Sequence, residues 1–555
     1  MESAGASLRQ QVRELLANEM YADAELLCSF LVGGAVPAAE ASARAESLEL
    51  YGDALLGAGQ HRRAAVYFGE AAAELEGAGQ GGGGGGGSGS QGVAAAFYEL
   101  KFKSARCALR ADDLSGAARL LEAVPAAHRT LPMNVALGKL SRQVGNHRKA
   151  VGAYSDAVLQ APLALGCVRA LLQLGVPAKE VLGLLGRAAG AQGEMVRSQA
   201  GWLKSFVSAH GHTAAHQPEK AVRDLGALQR SFPASAHVLL PLAQAHLATT
   251  APGAGADAAA LFARARKADG RNLDAMDEYA LLLARQGEGL KLNGLVRELL
   301  AADEGRPEGW VAAAAFSATR GDPKEKALAL VDRALALDDA HPRAHLYKGS
   351  LLLAEGRAVE AAESYRAANA IAREFESYKG MVEAYVMIPQ HKEALYVAKQ
   401  ALQLNPKNVR AITLVGRVVA AKDSGADKAM KALGKALALD ATCVDAIMAM
   451  VDLHRERGEM AQCVALLRRA MECNSETGQA GLTAKLADVY ASHHDTHQQA
   501  LECYHQALSL NNYNEEAVKG LARLERVMQG EETEEEEDDG EGEEGYDDSQ
   551  DSYMQ

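Results

Sequence analysis

The chain has 555 residues, 48% hydrophobic and 5% aromatic residues, and a formal net charge of −14. That length exceeds one ordinary core and suits several domains or a repeat array, and the low aromatic content argues against a β-sandwich. Residues 530–555 contain 14 Asp or Glu and no Lys or Arg. The remaining chain is therefore formally neutral and lacks the basic excess that would indicate a nucleic-acid partner.

The first predicted elements are helices with an apolar stripe at helical spacing. The terminal unit of a repeat array should present a polar outer face, whereas this segment is apolar enough to bind a partner. Packing on the following unit is the alternative. The residues of this N-terminal apolar surface are Leu8, Val12, Leu15, Leu16, Leu26, Leu27, Phe30 and Leu31.

Residues 77–92, GAGQGGGGGGGSGSQG, interrupt the helical pattern. This composition predicts a disordered loop that cannot hold a helix, and it separates a segment 1–76 from a longer segment 93–528. The helical repeat pattern of the chain resumes in phase after this loop. Because neither a Lys-Ser/Thr pair nor a strand flanks it, its glycine spacing does not indicate phosphate binding.

Residues 131–162, LPMNVALGKLSRQVGNHRKAVGAYSDAVLQAP, contain two apolar-periodic runs separated by Gly145 and Asn146. Small residues at the eighth, twentieth and twenty-seventh positions let two antiparallel helices approach closely, an aromatic residue fills the space between layers, and a proline ends the second helix. This is the tetratricopeptide-repeat pattern. Its packing residues are Gly138, Ala150, Tyr154, Ala157 and Pro162.

The same phase recurs along the chain, and a late unit repeats it at Gly349, Ala361, Tyr365 and Ala368. Weaker units lie near Ala24 and Val181. We therefore predict an all-α tetratricopeptide-repeat superhelix of about fourteen helical hairpins, followed by a disordered acidic tail at 529–555. The twentieth position falls at Ala64, Ala117, Ala150, Ala221, Ala258, Leu292, Ala327, Ala361, Ala394, Ala429, Cys463 and Ala500.

Positions 2, 5 and 9 of the first helix in late units should point to the concave face. They predict a basic track that could hold an acidic or carboxyl-terminal peptide, with a solvated face as the alternative. The corresponding pairs lack the Lys and Asn of a chaperone-type carboxylate clamp. The candidate groove residues are Arg343, Lys379, Glu383, Arg410 and Arg417.

No motif for catalysis, a metal or a cofactor is present, and the repeats leave no room for a catalytic domain. We interpret both histidine clusters as surface turns and the scattered cysteines, none in Cys-x-x-Cys spacing, as buried reduced thiols. No run of 18 apolar residues indicates a membrane span. The two histidine clusters are His210, His212 and His216, and His493, His494 and His497.

Beyond the repeat positions, the chain resembles the subunit 7 family of the anaphase-promoting complex/cyclosome over nearly its whole length. The resemblance rests on LPMNVALGKLSRQVGNHRKAV…APLAL, MDEYALLLARQGEG, HLYKGSLLLAEGRAVEAAESYRAANAIA, SYKGMVEAY, KAMKALGKAL, SLNNYNEEAVKGLARLE and the acidic tail. The polyglycine stretch departs from the Ser/Thr-rich linker expected there.

The resemblance implies a non-catalytic scaffold of a cullin-RING ubiquitin ligase that controls mitotic progression. It implies a homodimer formed through the amino-terminal repeats, stacking on other repeat subunits, support of coactivator and substrate ubiquitination, possible contact with coactivator tails, and a location in nucleus and cytoplasm. No nucleic acid or membrane is expected as a partner. The alternative is a peptide-binding adaptor of another multiprotein complex.

Overall fold

A computed structural model shows two compact units, Met1–Ser231 (unit 1) and Phe232–Gln555 (unit 2). Within the described residues it contains 29 α-helices and no strand. Consecutive helices pair as antiparallel hairpins, six in unit 1 and eight in unit 2, and a single helix follows the last pair. The described residues are 2–33, 41–81, 88–187, 200–249, 253–404, 406, 408–421, 425–473, 476–492, 496–510 and 514–529.

The helices of unit 1 are α1 Glu2–Ala17, α2 Tyr21–Gly33, α3 Ala41–Gly57, α4 His61–Gly81, α5 Ser88–Arg110, α6 Leu114–Glu122, α7 Leu131–Gln143, α8 His147–Gln160, α9 Leu165–Gln173, α10 Ala178–Gly186, α11 Ala200–Ala214 and α12 Pro218–Ser231. A 3-10 turn, Ala126–His128, lies between α6 and α7.

The helices of unit 2 are α13 Ala236–Ala248, α14 Ala254–Ala268, α15 Met276–Arg285, α16 Gly289–Ala302, α17 Pro307–Thr319, α18 Lys324–Leu337, α19 Pro342–Ala354, α20 Ala358–Ile371, α21 Phe375–Met387, α22 His391–Leu404, α23 Val409–Ala420, α24 Ala426–Leu439, α25 Val444–Glu456, α26 Met460–Cys473, α27 Glu476–Ala491, α28 His497–Leu510 and α29 Glu515–Gln529.

Local sequence explains where one hairpin turns. Gly145 has a φ of +79°, which favours glycine, and it reverses the chain between α7 and α8. The side chain of Asn146 then accepts a hydrogen bond from the backbone N–H of Lys149 at 3.3 Å and caps α8. Helix α8 ends at Gln160, two residues before the buried Pro162. The Gly-Asn break therefore acts as a turn and a cap together.

The repeat phase is confirmed by burial. All twelve residues assigned to the twentieth position are fully buried, and each lies in the second helix of its pair. Ala24 in α2 and Val181 in α10, which marked the two weaker units, are also fully buried. These fourteen positions match the fourteen described hairpins, so the prediction of about fourteen helical pairs is confirmed.

The eighth position is small because an aromatic ring occupies the space beside it. A Cβ added at Gly138 would lie 2.7 Å from the ring of Tyr154, and one at Gly349 would lie 2.8 Å from the ring of Tyr365. A Cβ at Gly380 in the next pair would lie 2.3 Å from the same Tyr365 ring. The side chain of Tyr365 thus fills the gap between α19 and α21. Ala157 and Ala368 are buried beside these rings.

The structure places more helix around the glycine-rich stretch than the sequence predicts. Helix α4 continues to Gly81 and helix α5 begins at Ser88, so both ends of the expected loop 77–92 are helical. The packed segment has already nucleated each helix, so every added residue gains a hydrogen bond without a second nucleation cost. This gain outweighs the poor helix propensity of glycine. Residues 82–87 and the acidic tail after Gln529 lie outside the described residues.

Candidate interaction surfaces

The N-terminal apolar surface divides into residues that face the chain's own core and residues that face outward. Val12 is fully buried in the core formed by α1 to α5, so its assignment to an exposed partner surface is wrong. It points inward because it lies on the apolar stripe that the first pair buries against the helices that follow it. The residues that are half-buried are Leu8, Leu15, Leu16, Leu27 and Leu31, and the last four of them pack against the same core.

Leu26 and Phe30 are the outward members of the predicted set. Their exposed fractions are 59% and 65%, and they lie four residues apart, one turn of α2. Met20, just before the helix, is 47% exposed. Apolar side chains that are exposed next to one another form a patch of the kind that marks protein contact. The accessible part of the surface is therefore centred on Leu26 and Phe30.

The late groove residues form ion pairs within the chain and do not make a free basic track. Arg410 Nη2 lies 2.6 Å from Glu376 Oε1, and Arg417 Nη1 lies 3.5 Å from Glu383 Oε1. In each pair the two residues are 34 apart, so successive first helices α21 and α23 are joined at the same repeat position. Lys379 Nζ is 4.0 Å from Glu383 on its own helix.

The pKa of the Glu376 carboxylate is set by these neighbouring cations. Burial acts to raise its pKa, but the charge and hydrogen bond of Arg410, with Lys379 and Arg343 nearby, outweigh burial and hold the pKa below its usual value. A carboxylate that stays ionised here neutralises the arginine beside it. A peptide carboxylate entering this surface would have to compete with the resident glutamates, so the prediction of a basic track is corrected to a charge-balanced one.

Arg343, the remaining predicted groove residue, belongs to a buried charged cluster with Asp277, Glu278 and His341. Its Nε lies 3.0 Å from Glu278 Oε1 and its Nη2 lies 3.0 Å from Glu374 Oε2. His341 Nε2 lies 2.9 Å from Asp277 Oδ2. Asp277 and Glu278 are 1% and 8% exposed. The guanidinium of Arg343 is therefore engaged by the carboxylates of Glu278 and Glu374 and is not a free cation for a ligand.

The cluster joins repeats that are not sequence neighbours. Asp277 and Glu278 begin α15 and Arg343 begins α19, so the ion pairs span the intervening pair α17–α18. Gln244 of α13 extends the network by donating its amide hydrogen to Glu278 Oε1 at 2.9 Å. Sequence reasoning missed these roles although MDEYALLLARQGEG includes both acids. Two acidic residues opening an otherwise apolar helix were the available signal.

The interpretation of the first histidine cluster as surface turns is wrong for His210. It lies within α11, is 8% exposed and contacts the ring of Phe206. Burial, with the charge of Arg169, lowers its pKa to about 4. His212 Nδ1 lies 3.0 Å from Asp224 Oδ2. Of the second cluster, His493 and His494 lie outside the described residues.

The described residues offer no group of three or more His, Cys, Asp or Glu placed to hold a metal ion. No helix in the described ranges is long and apolar enough to cross a membrane. Five cysteines, at 28, 107, 167, 443 and 463, are free and buried, and Cys503 is free and half-buried. Burial raises the pKa of the Cys28 thiol to about 12, so that thiol stays protonated.

The fourteen hairpins, their glycine–aromatic packing and their buried alanines define a tetratricopeptide-repeat protein. The fold is similar to that in a crystal structure of the APC/C hetero-tetramer Cut9–Hcn1, with a TM-score of 0.56 and 15% identity, covering 94% of this chain and 96% of that chain. No protein-family model matches the chain.

Curated relatives from several organisms carry the name anaphase-promoting complex subunit 7. The Arabidopsis thaliana protein is 31% identical over 538 residues, covering 94% of each chain. The Dictyostelium discoideum protein is 27% identical and covers 94% of this chain and 90% of its own length. The Homo sapiens protein is 26% identical and covers 77% and 74%. The chain belongs to the anaphase-promoting complex subunit 7 family, a family of non-catalytic repeat proteins.

Proposed function

We propose that the chain is a scaffold subunit of the anaphase-promoting complex, a cullin-RING ubiquitin ligase that controls mitotic progression. In this role it positions other proteins and leaves the transfer of ubiquitin to them. The observation that supports this most strongly is the match to the Arabidopsis relative across 94% of both chains, because the matched region is the repeat array itself. Fold alone would not distinguish this family from other repeat proteins.

The partners in this proposal are other tetratricopeptide-repeat subunits. The solved structure with the similar fold is a hetero-tetramer, and repeat arrays present long surfaces on which a second array can lie. Coactivator tails are a minor part of the proposal, since Arg410 and Arg417 already pair with glutamates. We place the chain in nucleus and cytoplasm, where this ligase acts.

We further propose a homodimer formed through the outward part of the N-terminal apolar surface. Leu26 and Phe30 expose more than half of their side chains on one turn of α2. Burying such side chains against a second copy contributes about 1.5–3 kcal/mol for each one that becomes fully covered. Because the same residues are present on both copies, they can form a two-fold contact.

The direct test is recovery of a tagged chain from mitotic extract, with the co-purifying chains identified and a second, differently tagged copy present. We expect the cullin, the RING subunit, the other repeat subunits and the second copy. Recovery of a different assembly would contradict the ligase proposal and favour the adaptor alternative. Recovery of the ligase subunits without the second copy would contradict the homodimer alone.

A matched control uses Leu290→Glu, since Leu290 is 92% exposed in unit 2. Introducing a negative charge there should leave all partners in place, whereas Leu26→Glu with Phe30→Glu should release the second copy. Loss of partners from both variants would show a general effect of added charge, which would contradict the assignment of the contact to α2.

A further inference from the structure

Unit 2 contains a strongly basic segment. Residues 391–439 include nine Lys or Arg and only three Asp or Glu. Two of these cations, Arg410 and Arg417, are neutralised by glutamates of α21. The excess of positive charge therefore belongs to lysines outside the charge-balanced surface.

Three of these lysines form a lysine face on α24, consisting of Lys428, Lys431 and Lys435. Spacings of three and four residues place them on one side of the helix, while Ala429 and Leu433 are fully buried on another. All three lysines are exposed, and none forms an ion pair with another residue that the structure describes. Like charges at these spacings repel one another, so a bound polyanion would relieve the repulsion.

The basic character continues onto the next hairpin. Arg469 on α26 lies 34 residues after Lys435, which is the same repeat position one unit further along, and it is exposed. Nearby Asp427 is already engaged, because its Oδ1 lies 2.5 Å from Nη2 of Arg457. The lysine face and Arg469 thus present four exposed cations on the second helices α24 and α26, and the one acidic residue of α24 is already paired.

The chain carries a polyanion close enough to reach this face. Residues 531–551 contain all 14 acidic residues that follow α29, and α29 ends at Gln529. One hairpin, α25–α26, lies between the pair that contains α24 and the pair that contains α28, and helix spacings of 8–10 Å place α24 and α28 about 20–30 Å apart. The 26 residues from 530 to 555 can extend about 85 Å. A tether of this length gives an effective concentration of roughly millimolar order.

We propose that the acidic segment 531–551 binds the lysine face of α24 in the same chain. Carboxylates of the segment contact the ammonium groups of Lys428, Lys431 and Lys435, with Arg469 extending the contact. Each exposed pair contributes little, and the contact depends on many pairs together, so it weakens as salt is added. While bound, the segment excludes other polyanions from this face.

The test uses full-length chains and a labelled peptide of sequence 531–551 as the probe. A full-length variant with the fourteen acids changed to Gln or Asn leaves the lysine face uncovered. We expect the peptide to bind this neutral-tail variant at least about tenfold more tightly than wild type, because the wild-type face is occupied by its own segment. Equal binding to both chains, or no binding to the neutral-tail variant, would overturn the proposal.

A second pair of variants locates the site. In the neutral-tail background, Lys428→Gln, Lys431→Gln and Lys435→Gln together should abolish peptide binding. The matched control changes the same charge at exposed lysines of unit 1, with Lys139→Gln, Lys149→Gln and Lys220→Gln, and should keep it. Binding that survives the first set, or is lost equally with the second, would overturn the assignment to α24.

Carbodiimide cross-linking of wild type separates binding within one chain from binding between chains. In a mixture of light and heavy isotope-labelled chains, cross-links from the segment to Lys428, Lys431 or Lys435 should join peptides of the same label. In an equal mixture, mixed-label cross-links that approach half of the total, as random pairing of chains gives, would replace the proposal with binding to a second copy. Cross-links that mainly reach other lysines would also overturn it.

Discussion

Two buried polar sites, one in each unit, differ in how their side chains are partnered. In unit 2, buried Asp277 and Glu278 have charged partners in His341 and Arg343. In unit 1, Asn134 is fully buried with neither amide atom hydrogen-bonded to a described residue. The difference shows that similar repeats can be joined in two ways. Unit 2 adds ion pairs that span a whole hairpin, whereas the Asn134 site in unit 1 depends on apolar packing alone.

This contrast has a consequence for cooperativity. A repeat array in which each hairpin contacts only its neighbours can lose repeats progressively. The ion pairs between α15 and α19 bypass the hairpin α17–α18, so they couple three hairpins at once. We therefore expect the middle of unit 2 to open as a larger cooperative segment than any part of unit 1.

The largest expected effect comes from breaking the packing that both units share. Ala361→Glu places a charge at a fully buried twentieth position and should destabilise the protein by about 3 kcal/mol or more. Thermal unfolding is the measurement. Val359→Glu is the control, because Val359 is 60% exposed and its variant should stay within about 0.5 kcal/mol. An unchanged melting temperature for Ala361→Glu would contradict the repeat phase.

Removing one cation from unit 2 tests the ion pairs themselves. Arg343→Met leaves the carboxylate of Glu278 buried and should cost about 3 kcal/mol. Arg417→Met removes a half-exposed pair and should cost less than about 1 kcal/mol. Denaturant unfolding measures both. Burial raises the pKa of Glu278, so lowering the pH should protonate it and reduce the cost of Arg343→Met. Equal losses of stability for the two variants would show that the buried cluster stabilises the protein no more than an exposed ion pair does.

The pH dependence of the two units should have opposite signs. The pKa of His210 is about 4 when folded, against an unfolded value near 6.5. The unfolded chain therefore binds a proton that the folded chain does not, and unit 1 loses stability as pH falls from about 6.5 towards 4. At pH 5 the loss should be about 2 kcal/mol. The variant His210→Leu should remove this loss, as urea unfolding at pH 7 and 5 would show.

His341 provides the comparison in unit 2. Burial acts to lower its pKa, but the hydrogen bond and charge of Asp277 outweigh burial and raise it. The contribution of His341 to the free energy of unfolding is therefore complete below about pH 6.5, and it is lost as pH rises through the folded pKa. Hydrogen exchange resolved by unit should show unit 1 opening more easily at pH 5 and the His341 region becoming more protected. The same sign in both units would contradict these assignments.

The smallest expected effect is a gain in the stability of unit 1. Asn134→Leu replaces an amide that has no described hydrogen-bond partner with an apolar side chain, and should stabilise the protein by about 1 kcal/mol. Asn146→Ala is the matched control of opposite sign, because Asn146 caps α8 and its loss should cost about 1 kcal/mol. Melting temperatures that fall for both variants would indicate a partner for Asn134.

Residue size and spacing were enough to predict the repeats, because a position such as Ala150 or Ala361 is constrained by local helix packing alone. The interaction surfaces were harder to predict from the sequence. The orientation of Arg343 depends on Glu278, 65 residues away, and on rotamers that no spacing specifies. Val12 and Leu26 share one apolar pattern, but only the tertiary position of α2 decides which is covered. The loop expected at 77–92 is shorter than predicted because α4 and α5 extend into it from their packed segments.

The claim that the outward turn of α2 holds a second copy is tested most directly by light scattering of the purified chain over a range of concentrations. We expect a dimer for wild type and for Leu290→Glu, and a monomer of unchanged helical content for Leu26→Glu with Phe30→Glu. A dimer that persists in the double variant, or a wild-type chain that stays monomeric at all concentrations, would contradict it.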